Sequence, residues 1–555
     1  MKTLLCILLL LVAVNVEGTT YYVRVGGSDG AAGTSWGTAW ETMTNVNTTP
    51  SDGDSVFING VHYSAQLLPI TGVTYVGGNG SDNTVTHGGG TLVGSEAVTG
   101  WANISGNVYR APWTPNDGVV ISDGVLYTLY QVESGAPDTA WIYRETSYGA
   151  VDAPGEYFQN AAHDSIYVYV NNMNSQGLDP DDYIIYASNR IVVAFGQAGR
   201  DQKHVVIEGL HVFGARAKCV YGGGDAHHMD SCTIRAVYAA WVSTQPSQNG
   251  GCFGTGQISD SSNYGHHNRY VHDTANHVNY QCGVGHSNGF IFYSENYCLI
   301  ESCVVFSDVL VGYHYKGHYG SSQDDVETGD VIRDCIVYGD SSNTDWGTLQ
   351  AANHYKDSIY GCIFIGCTDG GIMNAHNDNY GLGDGTYIGN NTFVDCGYGT
   401  VDGTDGYIGG RVDINYNVFY EMNTNNIRIY CQAGCDGGDD EANDTLVFPD
   451  SNMFYSAGAQ TWYNNGVGTF NSLAAWQAAP YYYDLHSNTN NPNFDSVGAT
   501  DPWLGLARSG TPSEMNVTYG GRTWTLFGAV QLTNYGGTVI SGATSRTGKT
   551  EISNE

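Results

Sequence analysis

The sequence predicts an all-β solenoid built from short parallel strands. Three observations support this: a hexad pattern that recurs along the chain, a composition rich in glycine and tyrosine, and the lack of apolar residues at helical spacing. Of 555 residues, 75 are Gly and 41 are Tyr, whereas only 14% are charged. Many glycines among β-branched and aromatic runs favour many short strands joined by tight turns.

The repeat is clearest in the middle of the chain. Hexads open with an isoleucine in "IESCVV", "IRDCIV", "IYGCIF", "IGNNTF" and "INYNVF", and the isoleucines follow one another at steps of 32, 27, 29 and 26 residues. If each repeat makes one turn of a parallel coil, equivalent residues stack at about 4.8 Å. The predicted inner column is Ile300, Ile332, Ile359, Ile388 and Ile414.

The fourth hexad position predicts a second buried column. It is occupied by Cys303, Cys335 and Cys362 in three coils and by Asn391 and Asn417 in the next two. A buried Asn can satisfy its amide on the backbone of the adjacent coil. Stacked cysteines would either fill space as small apolar groups or form a bridge, and the sequence leaves both open.

Several segments resemble one known group of proteins. They are the opening "TYYVRVGGSDGAAGTSWGTAWETM", "SDGDSVFINGVHY" from Ser51, the Ile-x-x-Asn-x-Phe hexads, "DLHSNTNNPNF" from Asp484 and "LFGAVQ" from Leu526. Together they resemble the right-handed parallel β-helix proteins of the pectate-lyase-like superfamily. The resemblance implies one right-handed, single-stranded β-helix domain over residues 19–555. This fold carries lyases, hydrolases, epimerases and binding proteins, so it does not fix the reaction.

The chain divides into a leader and regions of one solenoid. Residues 1–18, "MKTLLCILLLLVAVNVEG", read as a signal peptide, so we expect a secreted, extracellular protein. No later stretch is apolar enough to span a bilayer. The coil pattern breaks at about 107–190, where "NVYRAPW", "GVLYTLY" and "DSIYVYV" predict an inserted antiparallel β-element near the N-terminal third. A central coil stack at about 200–430 and C-terminal coils with a cap at about 431–555 follow.

Charge and cysteine content limit the partners. A net charge of −35 argues against nucleic acid, which needs a basic surface. It permits an acidic polysaccharide or other glycan where cations gather locally or a metal bridges the charges. We expect a monomer. In an exported chain, the 12 cysteines after the leader predict at least one disulfide, either Cys431–Cys435 or a pair of neighbouring coil cysteines.

Basic side chains cluster in the central coils. Thirteen of the 17 histidines lie between His204 and His376, and only five lysines follow the leader. In "VGYHYKGHYG", strand alternation places His314, Lys316 and His318 on one face and the two intervening tyrosines on the other.

Repeat alignment stacks the strands that carry these residues on one sheet. Singly, each histidine is more often a surface residue or the partner of a loop. A group that includes a scarce lysine in an acidic chain instead points to an anionic ligand. The predicted site comprises His286, His314, Lys316, His318, Asn353, His354, Asn374 and His376.

The chemistry that fits this group is β-elimination of a uronate polysaccharide. A base removes the proton next to the carboxylate, and the charge that develops must be stabilised. The resemblance implies Lys or Arg as base, which makes Lys316 the candidate, with a pKa lowered by nearby His and by desolvation. His314 or His376 would act as the acid, and Asn353 and Asn374 would hold the carboxylate. The remaining residues, His286, His318 and His354, would bind substrate.

Two further possibilities remain open from sequence. In "SSQDDVETGD", Asp324, Asp325 and Glu327 are oxygen ligands of the type that holds Ca²⁺, although a solvated acidic turn is the favoured explanation. A glycoside hydrolase on the same fold would use Asp324 or Asp325 as acid and base. A non-catalytic adhesive protein would instead bind glycans on a groove rich in Tyr and Asn.

Overall fold

The computed structural model of the protein describes most of the chain from Gly18 onward. The described residues are 18–113, 128–133, 139–172, 177–188, 190–196, 201–224, 227–243, 250–255, 265–279, 287–293, 295–306, 311–316, 327–339, 346–351, 354–355, 357–375, 386–402, 411–429, 446–456, 458, 460–464, 468–478, 486–489, 515–519 and 522–526. The predicted signal peptide lies outside them, except for Gly18.

Two ladders of parallel strands are joined into one 22-stranded sheet by the long strand Ser55–Tyr63, which takes part in both. The first ladder, sheet 1, comprises Thr20–Arg24, Ser55–Tyr63, Thr74–Gly77, Val206–Glu208, Thr233–Arg235, Arg269–Val271, Leu299–Glu301, Val331–Arg333, Ser358–Tyr360, Thr386–Gly389, Arg411–Asn415 and Leu446–Asp450. The second, sheet 2, comprises Ser55–Tyr63, Gly90–Val93, Leu210–Arg216, Tyr238–Ser243, Thr274–Asn279, Val304–Val305, Ile336–Tyr338, Ile363–Ile365, Thr392–Val394, Val418–Tyr420 and Met453–Tyr455.

A separate 11-stranded sheet, sheet 3, forms the next side of the coil. Its strands are Val193–Ala194, Lys218–Tyr221, Gly250–Gly254, Ser287–Tyr293, Val311–Lys316, Trp346–Ala351, Gly370–Ala375, Tyr398–Asp402, Asn425–Ile429, Trp462–Asn464 and Gly468–Phe470, and only the last pair is antiparallel. Short side ladders follow sheet 3 in some coils: Gln202–Lys203, Gly223–Gly224, His227–Asp230, Gly265–His266 and Glu295–Asn296, then Glu327–Thr328 with His354–Tyr355. The right-handed parallel β-helix predicted from sequence is confirmed.

The inserted antiparallel element is also confirmed, in two sheets. One contains Glu96–Val98, Thr128–Glu133, Thr139–Trp141 and Tyr183–Ser188, and the other contains Ala102–Ser105, Val108–Pro112, Tyr143–Arg144, Glu156–Gln159 and Ser165–Tyr169. The element packs on the outside of sheet 2 through aromatic rings. The Trp241 ring lies 4.9 Å from Trp141 and 5.3 Å from Tyr130.

Other regular elements are few. The helices are Met43–Val46 and Leu473–Gln477, with 3-10 turns at Trp36–Thr38, Tyr148–Ala150 and Pro180–Asp182. A hairpin pairs Met515–Tyr519 with Arg522–Leu526. No helix among the described residues is long and apolar enough to cross a membrane.

The predicted isoleucine column is present in sheet 1. Ile300, Ile332, Ile359, Ile388 and Ile414 are paired in register from coil to coil, and each is at most 1% exposed. They face the interior with the phenylalanines of sheet 2, where Phe364 stacks on Phe393 and the column continues to Phe419 and Phe454. Identical side chains therefore repeat in the core at the spacing of the strands.

The corner between sheets 1 and 2 contains the predicted polar ladder. Asn391 Oδ1 accepts from Cys362 N at 2.9 Å, and Asn391 Nδ2 donates to Ile359 O at 2.9 Å. Asn417 repeats both contacts one coil further on. Each amide thus satisfies backbone groups of the preceding coil, as the sequence predicts.

The cysteines of this ladder are not bridged. The nine cysteines among the described residues all carry free thiols, so a bridge between neighbouring coil cysteines, which the sequence allowed, is wrong for them. Cys335 Sγ, for example, donates to Ile300 O at 3.6 Å while its sulfur accepts from Cys303 N at 3.4 Å. The thiol therefore occupies the place of an Asn amide. The Cys431–Cys435 pair lies outside the described residues.

A second ladder runs along the corner that precedes sheet 1. Asn268 Oδ1 accepts from Cys232 N at 3.0 Å, Asp330 Oδ1 accepts from Cys298 N at 2.7 Å, and Asp357 Oδ1 accepts from Asp330 N at 3.1 Å. Both carboxyl groups are buried. Burial raises the pKa of Asp357 to about 8.

Shortening Ile359 tests the stacked core. We expect Ile359→Ala to lower the free energy of unfolding by about 2–5 kcal/mol, because the deletion leaves a cavity between two neighbouring isoleucines. Chemical denaturation of the purified protein measures the loss. Ile104→Ala, at a position 46% exposed in the inserted element, is the matched control and should change stability by less than about 0.5 kcal/mol. Equal effects of the two changes would contradict the core position of Ile359.

The buried carboxyl group of Asp357 predicts a pH dependence of stability. Between pH of about 4 and about 8 the native state keeps a proton that the unfolded chain releases, so stability falls as pH rises through this window. Asp357→Asn keeps the acceptor and removes the titration. At pH 8 we expect the variant to be more stable than the wild type by at least about 1.4 kcal/mol, the equivalent of one pKa unit.

Denaturation midpoints measured from pH 4 to pH 8 check this expectation. Exposed Asp152 gives the control variant Asp152→Asn, which should keep the wild-type slope. A wild-type stability that rises over this range, or an Asp357→Asn variant that is less stable at pH 8, would refute the assignment.

Candidate functional site

The outer face of sheet 3 is defined by the alternation of its strands. Phe253, Phe290 and Tyr313 are in register and belong to the buried core, so their side chains point inward. The next residues along two of these strands, Ile291 and His314, are in register with each other and therefore lie on the outer face. Tyr313 therefore lies in the core, and strand alternation assigns His314 to the opposite face, as in the prediction from sequence.

Lys218 is the best-defined cation on this face. Its strand is separated from Ser287–Tyr293 by Gly250–Gly254, yet its Nζ lies 4.9 Å from the ring centre of Tyr221 and 5.9 Å from that of Tyr293. The side chain therefore crosses the intervening strand. Nζ donates to Thr255 O at 2.5 Å, and Lys218 is only 7% exposed.

The surroundings of this amine favour its neutral form. Among the described residues, no carboxylate lies within ion-pair distance of Lys218. Facing two tyrosine rings stabilises an ammonium by about 0.5–2 kcal/mol, whereas burying an unpaired charge costs several kcal/mol. Desolvation is therefore the larger effect, and burial lowers the pKa of Lys218 to about 7.

Asn288 and His314 form a buried polar pair beside this lysine. His314 Nδ1 lies 3.0 Å from Asn288 Oδ1, so this nitrogen is the protonated one, donating to the amide oxygen. Asn288 Nδ2 donates to Gly250 O at 2.8 Å, which fixes the amide on the strand adjacent to Lys218. His314 is 1% exposed. The pair orients the imidazole on the outer face.

The register places the backbone of a second lysine on the next strand. The Cα partner of Lys316 is Tyr293, the residue whose ring faces the Lys218 amine. Two of the five lysines that follow the leader thus lie on sheet 3, on either side of the strand of Tyr293.

Further along the sheet, a second cation lies among aromatic rings. Arg428 occupies the same outer column as His314, four strands and about 19 Å away. Its guanidinium carbon lies 5.2 Å from the ring centre of Tyr398 and 5.4 Å from that of Tyr463, and its Nη1 donates to the Tyr398 hydroxyl at 3.1 Å. The outer face therefore presents cations and tyrosines along much of its length.

Solved structures are similar to this chain in fold. XylC in complex with xylose is 12% identical with a TM-score of 0.49, over 79% of this chain and 83% of that one. A glycoside hydrolase is 8% identical with a TM-score of 0.41 over 84% and 100%, and pectate lyase Pel9A is 10% identical with a TM-score of 0.40 over 88% and 96%. No family model and no curated protein matches the sequence.

The parallel pairing of sheets 1, 2 and 3 shows that the chain folds as a parallel β-helix. At these identities the likeness concerns the fold alone.

Several predicted site residues can be placed on this β-helix by their backbone. Asn374 lies in sheet 3, but its register partner Gln350 pairs with Tyr315, so Asn374 is one position out of register with Lys316. His354 lies past the end of sheet 3, in the short ladder where it pairs with Glu327. The other predicted residues, His286, His318, Asn353, His376, Asp324 and Asp325, lie outside the described residues.

Two of the three predicted calcium ligands, Asp324 and Asp325, lie outside the described residues. Within the described part of the chain, no group of three or more His, Cys, Asp or Glu side chains is arranged to hold a metal ion.

Sequence reasoning missed Lys218. Its segment, "AKCVYGG", belongs to one of the early coils, where the hexad pattern is weak, and it contains no second basic residue at alternate spacing. The signal that would have found it is the scarcity of lysine, combined with the run of tyrosine and glycine that follows. Only the structure shows that its side chain crosses to Tyr293.

Proposed function

We propose that the protein is a secreted carbohydrate-active β-helix protein that binds an acidic polysaccharide on the outer face of sheet 3 and cleaves it by β-elimination. The observation that carries this proposal is the Lys218 amine held against the Tyr293 ring in a chain of net charge −35. The Asn288–His314 pair and the backbone of Lys316 lie on the strand of Tyr293 and the strand next to it. Tyrosine rings on the same face suit stacking against sugar rings.

Charge explains why such a cluster is needed. An acidic chain repels a polyuronate at long range, but exposed charges are screened beyond about 8 Å at physiological salt. Cations concentrated at one point of the sheet therefore act on the bound sugar, while most carboxylates of the surface do not. Arg428 lies in the outer column of His314. The strand of Lys316 is next to that of Tyr293, and the strand of Lys218 is two strands from it on the other side.

Elimination requires a neutral amine near the proton that is removed and a positive or amide group at the carboxylate. In the assignment derived from sequence, Lys316 is the base, His314 or His376 is the acid, and Asn353 and Asn374 hold the carboxylate. In the same assignment, His286, His318 and His354 bind substrate. The backbone of His354 lies past the end of sheet 3, and that of Asn374 lies one position out of register with Lys316. Ca²⁺ at Asp324, Asp325 and Glu327 would neutralise a second carboxylate.

A glycoside hydrolase is the second candidate function. An inverting hydrolase needs two carboxyl groups about 6.5–9.5 Å apart, flanking the scissile bond. The described residues of the outer face instead supply lysine, arginine, histidine, asparagine and tyrosine, which favours elimination. A binding protein without catalysis would use the same tyrosines.

Replacing Lys316 tests the lyase proposal. Wild-type protein incubated with a panel of polyuronates should generate the ultraviolet absorbance of an unsaturated uronate. Lys316→Ala should lose at least about 100-fold in rate, the usual contribution of a positioned base or charge. Lys203→Ala is the matched control, because Lys203 is half exposed and pairs with Asp230 on a different ladder. It should retain the wild-type rate.

The outcomes separate the candidate functions. Equal rates for wild type and Lys316→Ala would remove Lys316 from the reaction. New reducing ends without ultraviolet absorbance would identify a hydrolase. Retention on an immobilised polyuronate without any cleavage would identify a binding protein.

A further inference from the structure

The Lys218 amine is built as a reactive group rather than as a structural ion. Among the described residues, its Nζ contacts Thr255 O and the faces of Tyr221 and Tyr293. A lysine buried for structural reasons is ordinarily paired with a carboxylate, and the described residues offer none here. A neutral amine that donates one N–H to Thr255 O has a lone pair that none of its contacts among the described residues uses.

We infer that Lys218 is the proton acceptor of the proposed elimination, and that Lys316 supplies positive charge to the sugar carboxylate. The inference rests on the proposed function and changes the role given to Lys316. It follows from the position of the two lysines around Tyr293: the Lys218 amine is buried against the ring, and Lys316 occupies the adjacent strand.

The step balances without a co-reactant. Lys218 Nζ takes the proton from the carbon next to the carboxylate. The electron pair of that C–H bond becomes the new carbon–carbon double bond, and the bond to the leaving sugar oxygen breaks. The oxygen leaves with its electron pair and takes a proton from the acid of the proposed function, His314 or His376, and Lys218 later returns its proton to solvent.

The two roles require opposite protonation states at one pH. The proton acceptor must be a neutral amine, whereas the group that binds the sugar carboxylate must be charged. Two lysines in the same surroundings would have the same pKa and could not fill both roles at one pH. Burial without an acid lowers the pKa of Lys218 to about 7, which leaves its amine half neutral at neutral pH. Burial between Tyr221 and Tyr293 therefore determines the pKa of Lys218.

A nuclear magnetic resonance titration tests the amine without any substrate. Selective labelling of lysine gives only five signals from the chain after the leader. We expect one signal to titrate near pH 7 and to be missing in Lys218→Met, an unbranched apolar change that keeps the packing between the tyrosines. Five signals that all titrate above pH of about 9.5 would overturn the inference.

Kinetics of the lyase reaction test the division of roles. Lys218→Met and Lys218→Arg should each lower kcat/KM by at least about 100-fold, because neither offers a neutral amine. Lys316→Arg should retain measurable turnover, since a guanidinium supplies charge. Wild-type kcat/KM should rise with pH and level off just above pH 7. Lys203→Met is the control and should match the wild type in rate and pH profile.

Failure of the inference is distinct from failure of the proposed function. If the wild type forms unsaturated product and Lys218→Met forms it equally fast, Lys218 is not the acceptor. Loss of all turnover in Lys316→Arg together with retained turnover in Lys218→Arg would return the base role to Lys316. If no polyuronate gives unsaturated product, the function fails, and the titration still decides whether the amine is neutral near pH 7.

Discussion

The structure depends on one constraint: the asparagine amides buried at the corner between sheets 1 and 2 are satisfied by the neighbouring coils. Asn391 and Asn417 each bond backbone groups of the preceding coil and accept nothing from their own strand. A slip by one residue would leave these amides unpaired in the core, at about 1–3 kcal/mol for each group. The register of the whole stack is thereby fixed, and with it the columns of isoleucine and phenylalanine.

The same register builds the candidate site. Because every strand of sheet 3 is aligned with its neighbours, inward and outward positions form continuous columns along the sheet. The glycines on the inner side permit this close stacking: a Cβ on Gly347 would lie 2.3 Å from Phe364 Cδ1, and one on Gly371 would lie 2.2 Å from Phe393 Cδ1. The aligned backbone then pairs Lys316 with Tyr293, the residue whose ring faces the Lys218 amine.

The repeat could be predicted from sequence where the coils are most regular. Isoleucine opens each hexad from Ile300 onward, so the spacing alone gave the inner column, and the Asn residues gave the ladder. The redox state of the cysteines was harder to predict, because a free buried thiol and a disulfide-bonded cysteine would occupy the same hexad position. In the structure Cys335 accepts from Cys303 N, so its sulfur acts as an acceptor in the ladder and forms no bond to a second sulfur.

The site was harder to predict because it depends on where long side chains cross strands. Alternation placed Tyr313 and His314 on opposite faces of their strand, and the structure buries Tyr313 in the core. Repeat alignment placed Asn374 and His354 beside Lys316, but the pairing shows Asn374 one position out of register and His354 beyond the corner. One-residue shifts of this kind are invisible in a pattern whose repeat length varies from coil to coil.

The contrast between an acidic chain and a neutral lysine follows from the same architecture. A carboxylate near Lys218 would hold its amine charged and raise its pKa, so a base at this position requires that the abundant Asp and Glu side chains be kept away from it. The strands around Lys218 achieve this with Tyr221, Thr255 and Tyr293, which enclose the amine without pairing it. The acidic groups serve elsewhere, as in the ion pair between Glu208 and Arg235 on sheet 1. An excess of negative charge over the molecule is therefore compatible with elimination chemistry on an anionic sugar, provided that the charge is kept off the outer face around Tyr293.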